Sequence, residues 1–192
     1  MAVRSIIIPA DPSDVVEIID ILPGRFDARV NEIVLGTYLC VDLNENVSLW
    51  LNDEGKHLEL MFNQRAQSLW TQRHGSNTDV IVGPAVLTGP ADSNGATLGL
   101  SDDQLAAVEA RLGAVRVEVE NTYEDGHSSK RLFLLPAPVD IEDPDEIEGW
   151  LEDEVFTCLG DGHGVENPKL GSLHEVKVLT GPEALVGKTY EF

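Results

Sequence analysis

Positive charge is what this sequence has least of. Its 192 residues carry 13 Lys and Arg against 34 Asp and Glu, a net charge of −21 at pH 7. Phosphate backbones and anionic lipid surfaces repel a chain of that sign, which argues against nucleic acid or a membrane as a direct ligand. Long apolar runs are also missing: none approaches the roughly 18 residues that a membrane-spanning helix needs. The first apolar run, "IIIP", ends at Pro9 with no small-residue cleavage site, so it reads as a first strand and not as an export signal. Cysteine is nearly absent. Cys40 and Cys158 each sit alone in an apolar segment, and the expectation is two buried, reduced thiols in a cytoplasmic protein. Also lacking are G-x-G-x-x-G, a phosphate-binding P-loop, G-x-S-x-G and H-E-x-x-H. No cofactor, no metal ligand and no catalytic residue is therefore assigned.

What is present is a regular alternation of strand and helix patterns. "VRSIII" and "VVEIIDI" are β-rich runs around the turn residues "ADPSD". "RFDARVNEIVLG" has Phe26, Val30, Ile33 and Val34 at helical spacing and Gly36 as a stop. "TYLCVDL" and "VSLWLN" read as strands, "DEGK" as a hairpin turn, and "HLELMF" as the returning strand. Asn63 caps a helix, "DVIVGPAVLTGP" is a strand interrupted by Gly83-Pro84 and so bulged or at an edge, and Ser101 caps another helix. After Gly113 the pattern restarts. "AVRVEVENTY" and "KRLFLLPAPV" are strands, and Asp143 caps a helix with Pro144 at its first position. Ile147, Trp150, Leu151, Val155 and Leu159 form its apolar face. "SLHEVKVL" and a short terminal strand follow. The pentapeptide "VLTGP" occurs at 86–90 and at 178–182, each time after a strand–strand–helix run, which fits either an internal duplication or recurrent turn chemistry. The expected fold class is α+β: two small ββαβ-type units, residues 1–112 and a smaller acidic unit 113–192, each with an antiparallel sheet and one or two helices.

Residues 1–112 resemble an uncharacterised family of small phage and mobile-element proteins, a domain of unknown function. The resemblance lies in "NDEGK" at 52–56, "NQRA" at 63–66, "DVIVGPAVLTG" at 79–89 and "LSDDQL" at 100–105, taken in that order. The last third, "GDGHG…LGS…LVGKTYEF", is similar to the tails of phage hypothetical proteins. No activity comes with either resemblance. They imply a context, an accessory gene product acting in the cytoplasm of a bacterial host.

Three regions are candidates for function. "DIEDPDEIEGWLEDE" at 140–154 has nine acids in fifteen residues and no base. Its apolar stripe leaves Asp145, Glu148, Glu152 and Asp153 outward, fit for a basic protein surface where DNA phosphates would otherwise lie. The bland explanation is a solvated face. Lys56, Asn63 and Arg65 are polar groups of an otherwise acidic domain that would suit a small anionic ligand such as a nucleotide, and turn and cap chemistry is the favoured explanation for them. Cys158, His163 and His174 surround the glycine-rich "GDGHG". Their C-x4-H and H-x10-H spacing is poor for zinc, and the acids around Cys158 disfavour a thiolate, so a structured loop is expected there rather than a Cys/His hydrolase. "DLNENVSLWLND" imitates a calcium loop at Asp42, Asn44 and Asn46 but has Val47 where glycine belongs and Asp53 where a bidentate Glu belongs.

Overall fold

Alternating apolar residues turn the first two runs into a hairpin. β1 (Val3–Ile8) and β2 (Val16–Ile21) pair antiparallel with Val3 opposite Ile21. Between them the Asp11 carboxylate accepts both the amide and the hydroxyl of Ser13, closing the turn. The structure is a computed structural model that describes residues 2–76, 78–167 and 169–192, and the chain divides into two units, Met1–Leu112 and Gly113–Phe192. Each is α+β with an antiparallel sheet.

In the first unit a 3-10 turn at Pro23–Arg25 leads into α1 (Phe26–Ile33). The predicted apolar spacing does its work here: Phe26, Val30 and Val34 pack with Val3, Ile21, Trp50 and Val86. β3 (Tyr38–Asn44) and β4 (Val47–Asn52) form a second hairpin, followed by α2 (Gln64–His74), β5 (Ala85–Thr88) and α3 (Asp102–Leu112). The strand order is β3-β4-β5-β1-β2. Ser101 and Gln104 bond each other's amides in a capping box at the start of α3.

Four expectations for this unit need correction. "HLELMF" is not a strand. The chain after β4 stays in turns, with the Leu58 amide donating to Glu54 O and the Leu60 amide to Gly55 O, and Leu58, Met61 and Phe62 remain exposed. Both edges of β4 are already taken, by β3 and β5, so a returning strand has nowhere to pair. β5 is accordingly an interior strand and not an edge, with all four residues buried. Cys40 is exposed and not buried, because β3 is the outermost strand of the order. The unit also exceeds the expected one or two helices, with α1, α2 and α3 among the described residues.

The second unit is smaller: β6 (Ala114–Tyr123), β7 (Ser128–Pro136), α4 (Pro144–Trp150), β8 (Ser172–Thr180) and β9 (Thr189–Glu191), in the order β7-β6-β8-β9. Asp143 caps α4 by accepting the Asp145 amide. The helix does not run on to Gly160 as one α-helix. It widens into a π-helical stretch at Leu151–Val155 and tightens to a 3-10 turn at Phe156–Cys158. That change of pitch brings Val155 and Cys158 into the core beneath Trp150 and leaves Phe156 outside. Val115, Val117 and Val119 of β6 form a buried ladder with Phe133, Leu135, Val176 and Val178.

Candidate functional site: a glycine-loop cavity and an acidic groove

The "GDGHG" loop is ordered by a second copy of its own tripeptide. Asp125-Gly126-His127 forms the tip between β6 and β7, and Asp161-Gly162-His163 follows the 3-10 turn. In each copy the aspartate accepts the amide of its own histidine, at 3.0 Å and 2.9 Å, and the glycine between them has φ of +91° and +85°, a conformation that favours glycine. The side chains then cross. His127 Nε2 donates to Asp161 at 2.9 Å and His163 Nε2 donates to Asp125 at 2.7 Å, while the two imidazoles stack 4.0 Å apart. Tyr123 also donates to Asp161 at 2.9 Å. Burial alone would raise the Asp161 carboxyl, but hydrogen bonds from Ser129, the His163 amide, His127 and Tyr123 hold it well below its ordinary value of 3.8. Hydrogen bonding from His163 and the His127 amide likewise lowers Asp125.

This crossed pair supports one wall of a cavity of about 460 Å³, lined by Tyr123, His163, Ser172 and His174 on its polar side and by Phe156, Leu159 and Leu170 on its apolar side. His163 and His174, singled out in the sequence, are brought to it. Cys158 is not: it is 2% exposed, and its thiol faces the Glu154 carbonyl. Among the described residues no group of three or more His, Cys, Asp or Glu is disposed to hold a metal ion. Sequence reasoning missed Tyr123, Asp125, His127 and Ser172. The signal that would have found Asp125 and His127 was the repeated Asp-Gly-His.

Each member of the Lys56, Asn63 and Arg65 set has a structural partner. Lys56 pairs with Asp79. Asn63 is fully buried, accepts the Ala66 amide as the cap of α2 and donates to the carbonyls of Ile8 and Gly83. Arg65 donates to the carbonyls of Pro9, Asp11 and Asp14. Lys56 lines a cavity of about 110 Å³ that neither Asn63 nor Arg65 reaches.

The acidic segment is arranged differently. Asp145, Glu148, Glu152 and Asp153 are exposed, and no described Lys, Arg or His pairs with any of them. Elsewhere bases do find acids: Arg4 with Asp102, Arg29 with Glu32, Lys130 with Glu118 and Glu120. Beside α4 lies a groove of about 410 Å³ with Pro138, Val139 and Trp150 on its floor and Asp145, Glu146, Asp153 and Glu154 around it. The Trp150 indole is anchored by its bond to the Pro136 carbonyl, and Val139 is 94% exposed.

Comparison with known proteins bears on the first unit. The profile of a family described as a domain of unknown function (DUF3846) matches residues 3–113, more than half of the chain. The chain belongs to this family. The match ends where the second unit begins, so the DUF3846 domain is the first unit, and the cavity and the groove both lie outside it. No curated protein and no solved structure is significantly similar to the chain. Among the described residues no helix is long and apolar enough to cross a membrane.

Proposed function

We propose that this DUF3846 protein binds a basic surface of a partner protein through the α4 side of its second unit. The observation that carries the proposal is the groove beside α4, whose carboxylates have no basic partner among the described residues. Its chemistry suits a Lys or Arg side chain, with the aliphatic stem on Val139 and Trp150 and the charged head among Asp145, Asp153 and Glu154. Glu148 and Glu152 extend the same sign along the segment. A partner that accepts such a row of carboxylates is one that normally accepts phosphates. We infer a nuclease, defence factor or other nucleic-acid enzyme of a bacterial host, met in the cytoplasm by a phage or mobile-element accessory protein that blocks its phosphate site. The protein itself repels nucleic acid.

The test compares wild type with the variant Asp145→Asn, Glu148→Gln, Glu152→Gln, Asp153→Asn. Both are used to capture basic proteins from bacterial lysate, and the affinity of the captured protein is then measured at low and high salt. The variant is expected to fold normally and to bind more weakly, with the largest loss at low salt, because exposed charges are screened over about 8 Å at physiological ionic strength. Equal affinities of the two proteins at both salts would overturn the proposal.

A further inference from the structure

We infer that Ser172 is an activated serine nucleophile, with His174 as its general base and Asn121 as the residue that positions the base, and that it accepts the acyl group of a small uncharged ester. The placement follows from strand register. β6 points Val115, Val117, Val119 and Asn121 to one face, so the buried apolar ladder ends in a fully buried amide. β8 sets His174 directly opposite Asn121 and Ser172 directly opposite Tyr123. His174 Nδ1 lies 2.7 Å from Asn121 Oδ1, and Ser172 Oγ lies 3.1 Å from His174 Nε2.

The proton positions follow from a third contact. The Gly160 amide lies 2.9 Å from the same Asn121 atom. A backbone N–H only donates, so the atom that faces it is the amide oxygen and not the nitrogen. Asn121 Nδ2 meanwhile donates to Ser129 Oγ at 3.2 Å, which fixes the amide from its other end. His174 Nδ1 faces an acceptor and therefore carries the ring proton, and neutral His174 presents the lone pair of Nε2 to the Ser172 hydroxyl. That is the tautomer a general base needs. The set also meets the geometric signature of an activated nucleophile: a hydroxyl within hydrogen-bond reach of a base, and the base oriented by another group.

Ser172 and His174 open onto the cavity of about 460 Å³, a volume ordinary for a small-molecule site. Phe156, Leu159 and Leu170 supply its apolar side. The surrounding excess of acid disfavours an anionic substrate. In the reaction the Ser172 proton passes to His174 Nε2 as Oγ bonds the acyl carbon. The leaving alcohol then takes that proton as its C–O bond breaks. Water, deprotonated by the same nitrogen, frees the acid and restores Ser172. No oxidant or further reactant is required. Asn121 touches no substrate and acts only through His174.

The test treats the full chain with diisopropyl fluorophosphate, which phosphorylates an activated serine with loss of fluoride, and follows hydrolysis of p-nitrophenyl butyrate alongside. Ser172 is expected to carry the single label. Ser172→Ala should abolish label and hydrolysis at an unchanged melting temperature, and His174→Gln should slow both by about 100-fold or more. Asn121→Asp keeps the acceptor and should retain labelling, with the pH profile of its rate moved upward because a carboxylate favours protonated His174. Labelling of a residue other than Ser172, a Ser172 rate unaffected by His174→Gln, or no labelling above that of a free serine would each overturn the inference.

Discussion

Among the described residues each unit buries one asparagine completely, and the two are used differently. Asn63 in the first unit turns every polar atom to backbone: the amide of Ala66 and the carbonyls of Ile8 and Gly83. It ties α2 to the strand ends and does nothing else. Asn121 in the second unit makes one bond to backbone, from the Gly160 amide, and two to side chains, from His174 to the same oxygen and from its own nitrogen to Ser129. A buried amide that serves backbone is a device of folding. One that holds an imidazole in a chosen tautomer at a cavity wall is a device of positioning. The same contrast recurs across the units. Arg65 and Asn52 bond backbone carbonyls and amides, while Asp125 and Asp161 orient histidines. The side-chain bonds that orient His127, His163 and His174 all lie in the unit that follows the DUF3846 domain.

The sharpest expected difference between the units is thiol reactivity, since each holds one free cysteine. Cys40 is exposed on β3, whereas Cys158, the last residue of the 3-10 turn, is 2% exposed. Burial pushes the Cys40 thiol up, partly offset by Ser48, so the reaction is best followed at mildly alkaline pH. Titration of the native protein with a disulfide reagent should give one prompt thiol and one that reacts on the order of a thousandfold more slowly, because reaching Cys158 requires an opening that costs several kcal/mol. Two prompt thiols would mean that the second unit opens far more readily than its packing implies.

Next in size is the scaffold asparagine. Asn63→Ala removes the cap of α2 and a donor from each of two carbonyls, Ile8 and Gly83, and it should cost about 3 kcal/mol in urea unfolding. A loss below about 1 kcal/mol would remove the distinction drawn between Asn63 and Asn121.

Asp161→Asn tests the crossed pair. It should cost about 2 kcal/mol at neutral pH, since hydrogen bonds to an ionised group are each worth about 1.5–3 kcal/mol and the amide preserves only some of them. The pH dependence follows from the direction of the shift. The Asp161 carboxyl is lower when folded than its ordinary 3.8, so its contribution is full above that value and is lost as pH falls through the folded one. Wild type should therefore lose stability on going from pH 5 toward pH 2 more steeply than Asp161→Asn. Parallel curves would show that the carboxylate is not held as its four donors imply.

Most strands were legible because they alternate apolar and polar residues and are short. α1, α2 and α3 were legible because capping residues and apolar spacing agreed. What failed was decided by long-range pairing. "HLELMF" has the composition of a strand, but β5, which arrives more than twenty residues later, takes the edge of β4 that the run would have used. The repeated "VLTGP" was legible as text and ambiguous in meaning. Both copies end the strand that pairs with the first strand of their unit, yet Gly89 is required because a side chain would strike the Gly99 carbonyl at 2.7 Å, and Gly181 because its φ is +135°. The acidic helix could be read directly, since its apolar stripe leaves few orientations open. The cavity was not, because its members meet only when the β6–β7 tip, the loop after Cys158 and the start of β8 converge, and no local pattern encodes that meeting.

The smallest expected effect bears on the acidic face itself. Glu148 and Glu152 are four residues apart, on the last turn of α4 and the π-helical stretch, and neither has a described basic partner. Like charges at this spacing cost a few tenths of a kcal/mol, so Glu152→Gln should raise stability by about 0.3 kcal/mol. Asp145 sits in the first turn of α4, where a negative charge is favourable, so Asp145→Asn should lower stability by about the same amount. Urea unfolding at low salt should show the two opposite signs, and both should shrink at high salt as the charges are screened. A gain from Glu152→Gln would mean that this carboxylate is kept against the fold's own preference, which is what a surface held for a basic partner requires. A loss would mean that Glu152 serves the second unit internally, and the contact would then have to rest on Asp145 and Asp153 alone.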